Sequence, residues 1–491
     1  MIFCAFLWLS FMQPSLEEVK KLQSQGNVIP VYKSVIADFL TPVSAFLKLE
    51  RNRSHAFLLE SIEGGERIAR YSFLGGDPFL IKRCRDGQPA GFMENLRATM
   101  ARFKSVKLPN LPPFTGGAVG YFGYDMVRTI EDIPQTGVDD LGVDDAVLMF
   151  YKTVLAFDHL RHQIHIISNV IVDESNEPVE DQYQKAVEEI AQIEAVLRAP
   201  LEIPVTTRAA GDLIVRSNFE RQDFINAVVK AKEHIAAGDI FQVVLSQRFE
   251  VDLQASAFEI YRALRIVNPS PYMYFLKMPD TSIVGASPEM LVRIRDGEVE
   301  YRPIAGTLPR GSNAAEDEAL AEKLRNDEKE RAEHIMLVDL GRNDLGRVSR
   351  YGTVRVEDLM FIERYSHVMH LVSSLRGQLR DGVDRWDTLM ACFPAGTVSG
   401  APKVRAMEII DDLEPTKRGV YSGAIMYIDF SNNLDSCIVI RTLVARGNKG
   451  YIQAGAGIVA DSVPENEYQE SVNKARALIR AIDLAQRGFE L

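Results

Sequence analysis

Glu467, Glu470 and Lys474 follow one another at spacings of three and four, so a helix would carry all three on one face. Glu330 and Glu333 repeat the carboxylate pairing, one turn apart, in a second charged stretch. Two helices that each offer a glutamate pair to one cavity suit magnesium. It is a hard ion that takes few direct carboxylates and fills its shell with water and substrate oxygens. Neither stretch has the clustered cysteines or histidines that zinc would need. On its own the pattern is weak, because acidic pairs at this spacing also line ordinary solvated helices.

The elements that would position these groups are well marked. Residues 453–475 (Q-A-G-A-G-I-V-A-D-S-V-P-E-N-E-Y-Q-E-S-V-N-K-A) read as a strand end, a glycine turn and a helix. Gly455 and Gly457 let backbone N–H groups come close to an anion. Ser462 with Glu465 fits a capping box, and Pro464 suits the first helical turn. Tyr468, Val472, Ala475, Ile479 and Ile482 form a separate apolar stripe for a core. G-A-G-I-V-A also matches a dinucleotide fingerprint, but that motif needs its helix to open inside the glycine run. Here the helix begins only after Asp461 and no second strand follows it, which excludes the dinucleotide reading. The second charged stretch, residues 316–340, reads as one long helix.

A chain of 491 residues can bury a large core and divide into two or more domains. Its net charge of -12 argues against a nucleic-acid surface. Cys4, Cys84, Cys392 and Cys437 are far apart with no Cys-x-x-Cys pair, as expected of reduced thiols in a cytoplasmic protein. Residues 1–12 are almost wholly apolar but too short to span a bilayer, and they lack a signal peptide's basic start and cleavage site. The expectation is an N-terminal extension over residues 1–30 in which residues 1–13 include a non-native start, with Met12 the natural initiator. Residues 31–172 are strand-like, with a glycine turn at Gly64–Gly65 and a tightly packed strand in G-G-A-V-G-Y-F-G-Y-D from Gly116. His159, His162 and His165 flank a hairpin turn rather than form a metal cluster. Residues 179–198 read as a helix, and 201–216 as a linker between an N-terminal domain (31–200) and a catalytic domain (217–491). Ser217 with Glu220 forms a second capping box, opening a helix that stops at Gly238.

Several long motifs occur in order: G-D-I-F-Q-V-V-L-S-Q-R at Gly238, G-A-S-P-E at Gly285 and P-I-A-G-T-L-P-R-G at Pro303. H-I-M-L-V-D-L-G-R-N-D-L-G-R at His334, H-V-M-H-L-V-S at His367 and P-A-G-T-V-S-G-A-P-K at Pro394 follow. With residues 453–475, the set resembles the chorismate-utilising enzymes, and within them the synthase subunits of anthranilate synthases. Leu308 stands where that family usually has Arg. The resemblance implies an α+β fold of two packed antiparallel β-sheets with outer helices and an N-terminal domain packed against it. It also implies magnesium-dependent conversion of chorismate and ammonia to anthranilate and pyruvate, the first committed step of tryptophan biosynthesis.

Residue by residue, Glu333 and Glu470 resemble direct magnesium ligands, with Glu330 and Glu467 behind them through water. Gly306, Thr307, Tyr421, Arg441, Gly455, Ala456 and Gly457 resemble the substrate contacts. Glu289 resembles the general acid that protonates the departing hydroxyl, and His370 the catalytic histidine, with Gln242, Thr397 and Lys474 completing the catalytic set. Relatives that add water carry a lysine base where Gln242 stands, and relatives that make aminodeoxychorismate carry a nucleophilic lysine where Ala305 stands. Both alternatives lose on chemistry. A third alternative, a catalytically dead tryptophan-binding regulator, is countered by the competent residue type at every site position. No cysteine lies in a glutaminase-type Gly-x-Cys-x-Gly turn, so ammonia should come from a separate glutamine amidotransferase subunit in a hetero-oligomer. Glu60 and Ser61, with Pro271, Tyr272 and Met273, resemble the family's site for tryptophan as feedback inhibitor.

Overall fold

The computed structural model describes residues 12–62, 70–85, 89–172, 177–202, 213–365 and 368–490. Residues 1–11, the expected turn at Gly64–Gly65 and most of the expected linker lie outside them. Two antiparallel sheets of twelve and ten strands dominate the described residues, with helices around them.

Strands from both halves of the sequence share each sheet. In the larger sheet Ala56–Glu60 pairs with Tyr272–Lys277, which joins strands from residues 28–171 to the pair Gln242–Asp252 and Lys449–Ile458. In the smaller, Gly117–Phe122 pairs with Ala424–Asp429. The expected division at 201–216 therefore separates two stretches of sequence, not two sheets. Local patterning cannot show this, because antiparallel partners can lie hundreds of residues apart. The strand Gly117–Phe122 is buried on both faces. A Cβ on Gly117 or Gly120 would collide with the carbonyl of Ile428 or Val147, so only glycine permits the close approach predicted for this run. The strand-like stretch also contains two helices that the sequence reading missed, Pro42–Leu49 and Pro89–Ala101. His159 and His162 lie at the hairpin turn, and His165 is within the returning strand.

The predicted helix Val179–Arg198 is present with those bounds. The stretch expected as one long helix is two, Ala314–Asn326 and Glu328–Val348. Asp327 breaks it: its backbone is extended, and its carboxylate accepts the N–H groups of Lys329 and Glu330 at 3.0 and 3.1 Å. This cap places Glu330 in the first turn of the second helix, hereafter the acidic helix. Neither expected serine capping box forms. The terminal helix, Pro464–Gln486, has Val463 at its cap, while Ser462 Oγ accepts the N–H of Val459 at 3.0 Å and closes the preceding turn. Ser217 sits in the short strand Val215–Ser217 and donates to Gln247 Oε1 at 2.8 Å, so the next helix starts at Arg221. Its stop at Gly238, in the left-handed region at φ +83°, is as predicted.

The terminal helix seats its apolar stripe as expected. Ala475 and Ile482 are fully buried and Val472 and Ile479 partly so, packed on the strand Lys449–Ile458 and the helix Ala257–Val267. Near the site, a buried ion pair joins Arg418 to Glu414 at 2.6 Å, with both side chains at most 4% exposed. Glu414 Oε1 also accepts Ser246 N–H and Oγ–H at 2.8 and 2.9 Å. Arg418 donates to the carbonyls of Val398 and Val244 at 2.8 and 2.7 Å and to Ser422 Oγ at 3.1 Å. Removing one partner strands the other charge without a counter-ion in the interior. Arg418→Met should therefore destabilise the protein by about 3–5 kcal/mol, read as a lower denaturant midpoint. The double change with Glu414→Gln should recover part of that loss.

Candidate functional site

The strand pair Gln242–Asp252 and Lys449–Ile458 forms the floor of the site, with Val244 opposite Gly457, Leu245 opposite Ala456 and Ser246 opposite Gly455. The glycines are therefore inside a strand, not in the turn read from the sequence. Alternation explains why they are glycines: a Cβ on Gly455 would stand 3.0 Å from Tyr421 Oη, and one on Gly457 would stand 2.7 Å from the Gln242 amide. Lys474 Nζ donates to the Gly455 carbonyl at 3.0 Å and pairs with Glu470 at 2.8 Å, which fixes the terminal helix to this floor.

Glu289 lies between the strands Ser282–Ser287 and Met290–Arg295. Its backbone is held by Ser287 Oγ at 3.3 Å and by the N–H of Ile438 at 3.0 Å. Its carboxyl is buried, and burial pushes its pKa up to about 8 against smaller downward pulls from Thr397 and Lys474. Thr397, in the short turn Gly396–Val398, acts on that carboxyl without aligning as a full hydrogen bond. Glu289, Thr397 and Lys474 are thus brought together, around a carboxyl that stays protonated at neutral pH.

His370 lies opposite Thr307 on the strand Val368–Gln378. Gly306 sits at a bulge with φ +62°, a left-handed conformation that favours glycine. His370 Nδ1 is 3.0 Å from the Gly306 carbonyl and 3.1 Å from Thr307 Oγ1. A carbonyl only accepts, so Nδ1 carries a proton, and in the neutral ring the lone pair is on Nε2. Thr307, His370 and Arg441 line a cavity of about 100 Å³ together with residues 268–271. Burial depresses the Arg441 pKa while nearby Tyr421 opposes the shift, and burial pushes Tyr421 itself up to about 12.

The glutamates of the two helices feel one another. Burial raises the pKa of Glu330, and the charges of Glu333, Asp327 and Glu470 add to it. Burial also raises Glu333 and Glu467, with Glu470 adding to each. Glu330 Oε2 would stand 3.0 Å from a Cβ on Gly306, which sets this acidic cluster beside the His370 strand. Among the described residues no three acidic, histidine or cysteine side chains converge as a closed metal shell. The donors are nonetheless all hard oxygens, and their mutual repulsion is what a cation would relieve.

The regulatory candidates fall elsewhere. Glu60, Ser61, Pro271, Tyr272 and Met273 all line one cavity of about 710 Å³, and strand register sets Met273 directly opposite Glu60. Glu60 is buried and already paired: Tyr261 Oη donates to it, and Arg265 Nε lies 2.9 Å away. The sequence reading missed the Glu414–Arg418 pair, for which the only signal was the spacing of four in E-P-T-K-R.

Residues 55–480 match the family model for chorismate binding enzymes. The chain belongs to the chorismate-binding enzymes. It is 51% identical to anthranilate synthase component 1 of Acetivibrio thermocellus, over 96% of this chain and 99% of the relative. It is 46% identical to the same component of Aquifex aeolicus, over 97% and 99%. The crystal structure of anthranilate synthase component I from Streptococcus pneumoniae superposes with a TM-score of 0.75 at 38% identity, covering 91% of this chain and 99% of that one. The menaquinone-specific isochorismate synthase of Escherichia coli shares the fold, with a TM-score of 0.72 at 19% identity, over 95% and 98%.

The raised Glu289 pKa has a consequence for stability. The folded protein holds the proton to about pH 8, whereas an unfolded glutamate releases it near pH 4.5. The contribution of Glu289 is therefore fully present below about pH 4.5 and lost as pH rises through 8. Glu289→Gln, which cannot ionise, should gain stability over the wild type across that window by a few kcal/mol. Denaturant midpoints at pH 5 and pH 9 check the direction.

Proposed function

We propose that the chain converts chorismate and ammonia to anthranilate and pyruvate, the first committed step of tryptophan biosynthesis. The observation that carries the reading is the buried Glu289 carboxyl, which stays protonated to about pH 8 beside Thr397 and Lys474. Hydroxide is a poor leaving group, so loss of the carbon-4 hydroxyl needs such an acid. Glu289 gives its proton to that oxygen, water departs and ammonia adds at ring carbon 2. The added nitrogen sheds its extra proton, a base takes the carbon-2 proton, the ring aromatises and the bond from the ring to the side-chain oxygen breaks; the enolpyruvate released takes up a proton at its methylene carbon and becomes pyruvate. His370 Nε2 is the lone-pair nitrogen suited to stand near that step.

Gln242, an amide, cannot activate water, and the methyl group of Ala305 cannot attack the ring, which disfavours hydroxylated and aminodeoxychorismate products. Arg441, Tyr421, Thr307, Gly306 and the Gly455–Ala456–Gly457 backbone would orient the substrate's carboxylates. Glu333 and Glu470 would hold magnesium directly, with Glu330 and Glu467 behind them through water. When bound, the metal supplies a positive anchor for the ring carboxylate. Relatives named component 1 belong, by that name, to a multi-component enzyme. Here the second component would be a glutamine amidotransferase supplying ammonia in a cytoplasmic hetero-oligomer. No helix of the described residues is long and apolar enough to cross a membrane.

Purified protein given chorismate, magnesium and an ammonium salt at mildly alkaline pH should produce anthranilate fluorescence. A chelator should abolish the signal, and glutamine should not replace ammonium. Silence from folded protein, with no other product, would defeat the reading.

Tryptophan is the proposed inhibitor at the 710 Å³ cavity, with Ser61 as its small hydroxyl and Pro271, Tyr272 and Met273 as part of its wall. Inhibition requires tryptophan to bind an inactive state better than the active one, typically with about 1–3 kcal/mol of coupling. Ser61→Phe should fill the pocket and leave chorismate turnover near wild type while inhibition by tryptophan falls strongly. Inhibition curves of the variant and its parent measure this directly, and coincident curves would misplace the effector.

A further inference from the structure

The two glutamate pairs share a pattern that runs one residue past them. His334 directly follows Glu333 on the acidic helix, Ser471 directly follows Glu470 on the terminal helix, and both are fully buried. Successive helical residues point about 100° apart, so a neighbour held in the interior fixes which way the preceding glutamate faces. Glu330 and Glu467, each three residues earlier, lie on the same face as Glu333 and Glu470 and turn with them. One anchor per helix can therefore orient both of its carboxylates.

Each buried neighbour is fastened to a different strand. His334 Nε2 and Ser373 Oγ are hydrogen-bonded at 2.6 Å, and Ser373 is itself wholly buried in the strand Val368–Gln378. Nδ1 of that ring has no partner among the described residues, so the imidazole hangs on this one bond. On the terminal helix, the Ser471 hydroxyl gives its proton to the Tyr468 carbonyl at 2.7 Å. It can then only accept from Gln247 Nε2, which lies 2.6 Å away. Gln247 is wholly buried in the strand Gln242–Asp252, and its Oε1 accepts the Ser217 hydroxyl at 2.8 Å. Both ends of the amide are committed, so it cannot turn over. Apolar packing is non-directional, whereas a buried polar group that loses its partner is strongly disfavoured. Each bond therefore selects one rotational setting of its helix.

We propose that the bonds His334–Ser373 and Ser471–Gln247 are positioning contacts that preset the four glutamates for a divalent cation before the cation arrives. The inference rests on the metal site proposed above. Ser373→Ala and Gln247→Met each break one bond from the strand side and leave the sequences of both helices intact. The probe is Mn2+, which shares magnesium's preference for oxygen ligands, titrated with chorismate present and ammonia absent. Electron paramagnetic resonance should show its dissociation constant raised about tenfold in each variant, as when a metal ligand loses its orienting partner. Turnover at saturating magnesium should return close to that of wild type, because excess cation refills a weakened site. Ser168→Ala, which removes a buried hydroxyl 3.0 Å from Thr153 Oγ1, is the stability control and should leave the dissociation constant unchanged. Wild-type protein supplies a measurement that needs no variant: amide hydrogens of residues 334–338 and 471–475 should already exchange slowly without metal. Affinity for Mn2+ within about twofold of wild type in either folded variant would overturn the proposal. So would an equal loss in Ser168→Ala, or rapid exchange at those amides in the metal-free protein. A wild type that binds no Mn2+ would instead defeat the metal site itself.

Discussion

The buried Arg418–Glu414 pair is the constraint on which the site's geometry depends. Its hydrogen bonds reach the strand Gln242–Asp252 at Val244 and Ser246, the turn Gly396–Val398 at Val398 and the Tyr421 loop at Ser422. Those three segments carry Gln242, Thr397 and Tyr421, which are far apart in sequence. A charge pair with every hydrogen bond directional fixes orientation in a way that apolar packing does not. Desolvation makes such a pair a poor source of net stability, so its value here is better understood as positional.

Around that frame the site stores opposed electrostatics. Glu289 is kept neutral chiefly by burial, with Lys474 near enough to lower its pKa but not to ionise it at neutral pH. Glu330, Glu333 and Glu467 are raised chiefly by burial, and the charge of Glu470 adds to each. Lys474 serves both groups, since it pairs with Glu470, ties the terminal helix to Gly455 and acts on Glu289. One lysine thereby links the acidic cluster to the buried, protonated carboxyl of Glu289. A substrate carboxylate and a cation arriving together would bring opposite charges, so neither need be accommodated alone.

Residue type and spacing made much of this legible, and the failures have physical causes. The terminal helix and its buried stripe followed from periodicity, as did the helix Val179–Arg198 and the stop at Gly238. The two-sheet α+β fold and the grouping of His370 with Thr307 and Arg441 came only through family resemblance, because long-range strand pairing leaves no local trace. Gly455 and Gly457 were misread as a turn since glycine signals both turns and strands that make room for a neighbour's side chain. Asp327 was overlooked because aspartate inside a charged run looks like one more solvated residue until its carboxylate is seen capping the next helix. Both serine capping boxes failed because a serine hydroxyl has competing partners, here Val459 and Gln247, that sequence does not display.

Placement of the two large features explains how distant events can meet. Pro271 lines both the 710 Å³ cavity and the pocket that holds Thr307, His370 and Arg441. The segment after Asn268 is therefore a shared wall, one side toward the proposed effector and the other toward the proposed chemistry. Tyr272, next in sequence, is anchored by its hydroxyl to Asp435 and by Arg293 Nη2, each at 3.1 Å, so the wall is stiff on the effector side. On the His370 side Tyr365 packs edge-on against the His370 ring with centroids 5.4 Å apart, and Tyr365 lines the same pocket as Pro271. Both residues line the pocket beside His370, so a ligand that shifts Pro271 changes the shape of that pocket. On the proposed reading, tryptophan need not approach the substrate to slow its turnover, because displacing this wall reshapes the pocket that His370 also lines.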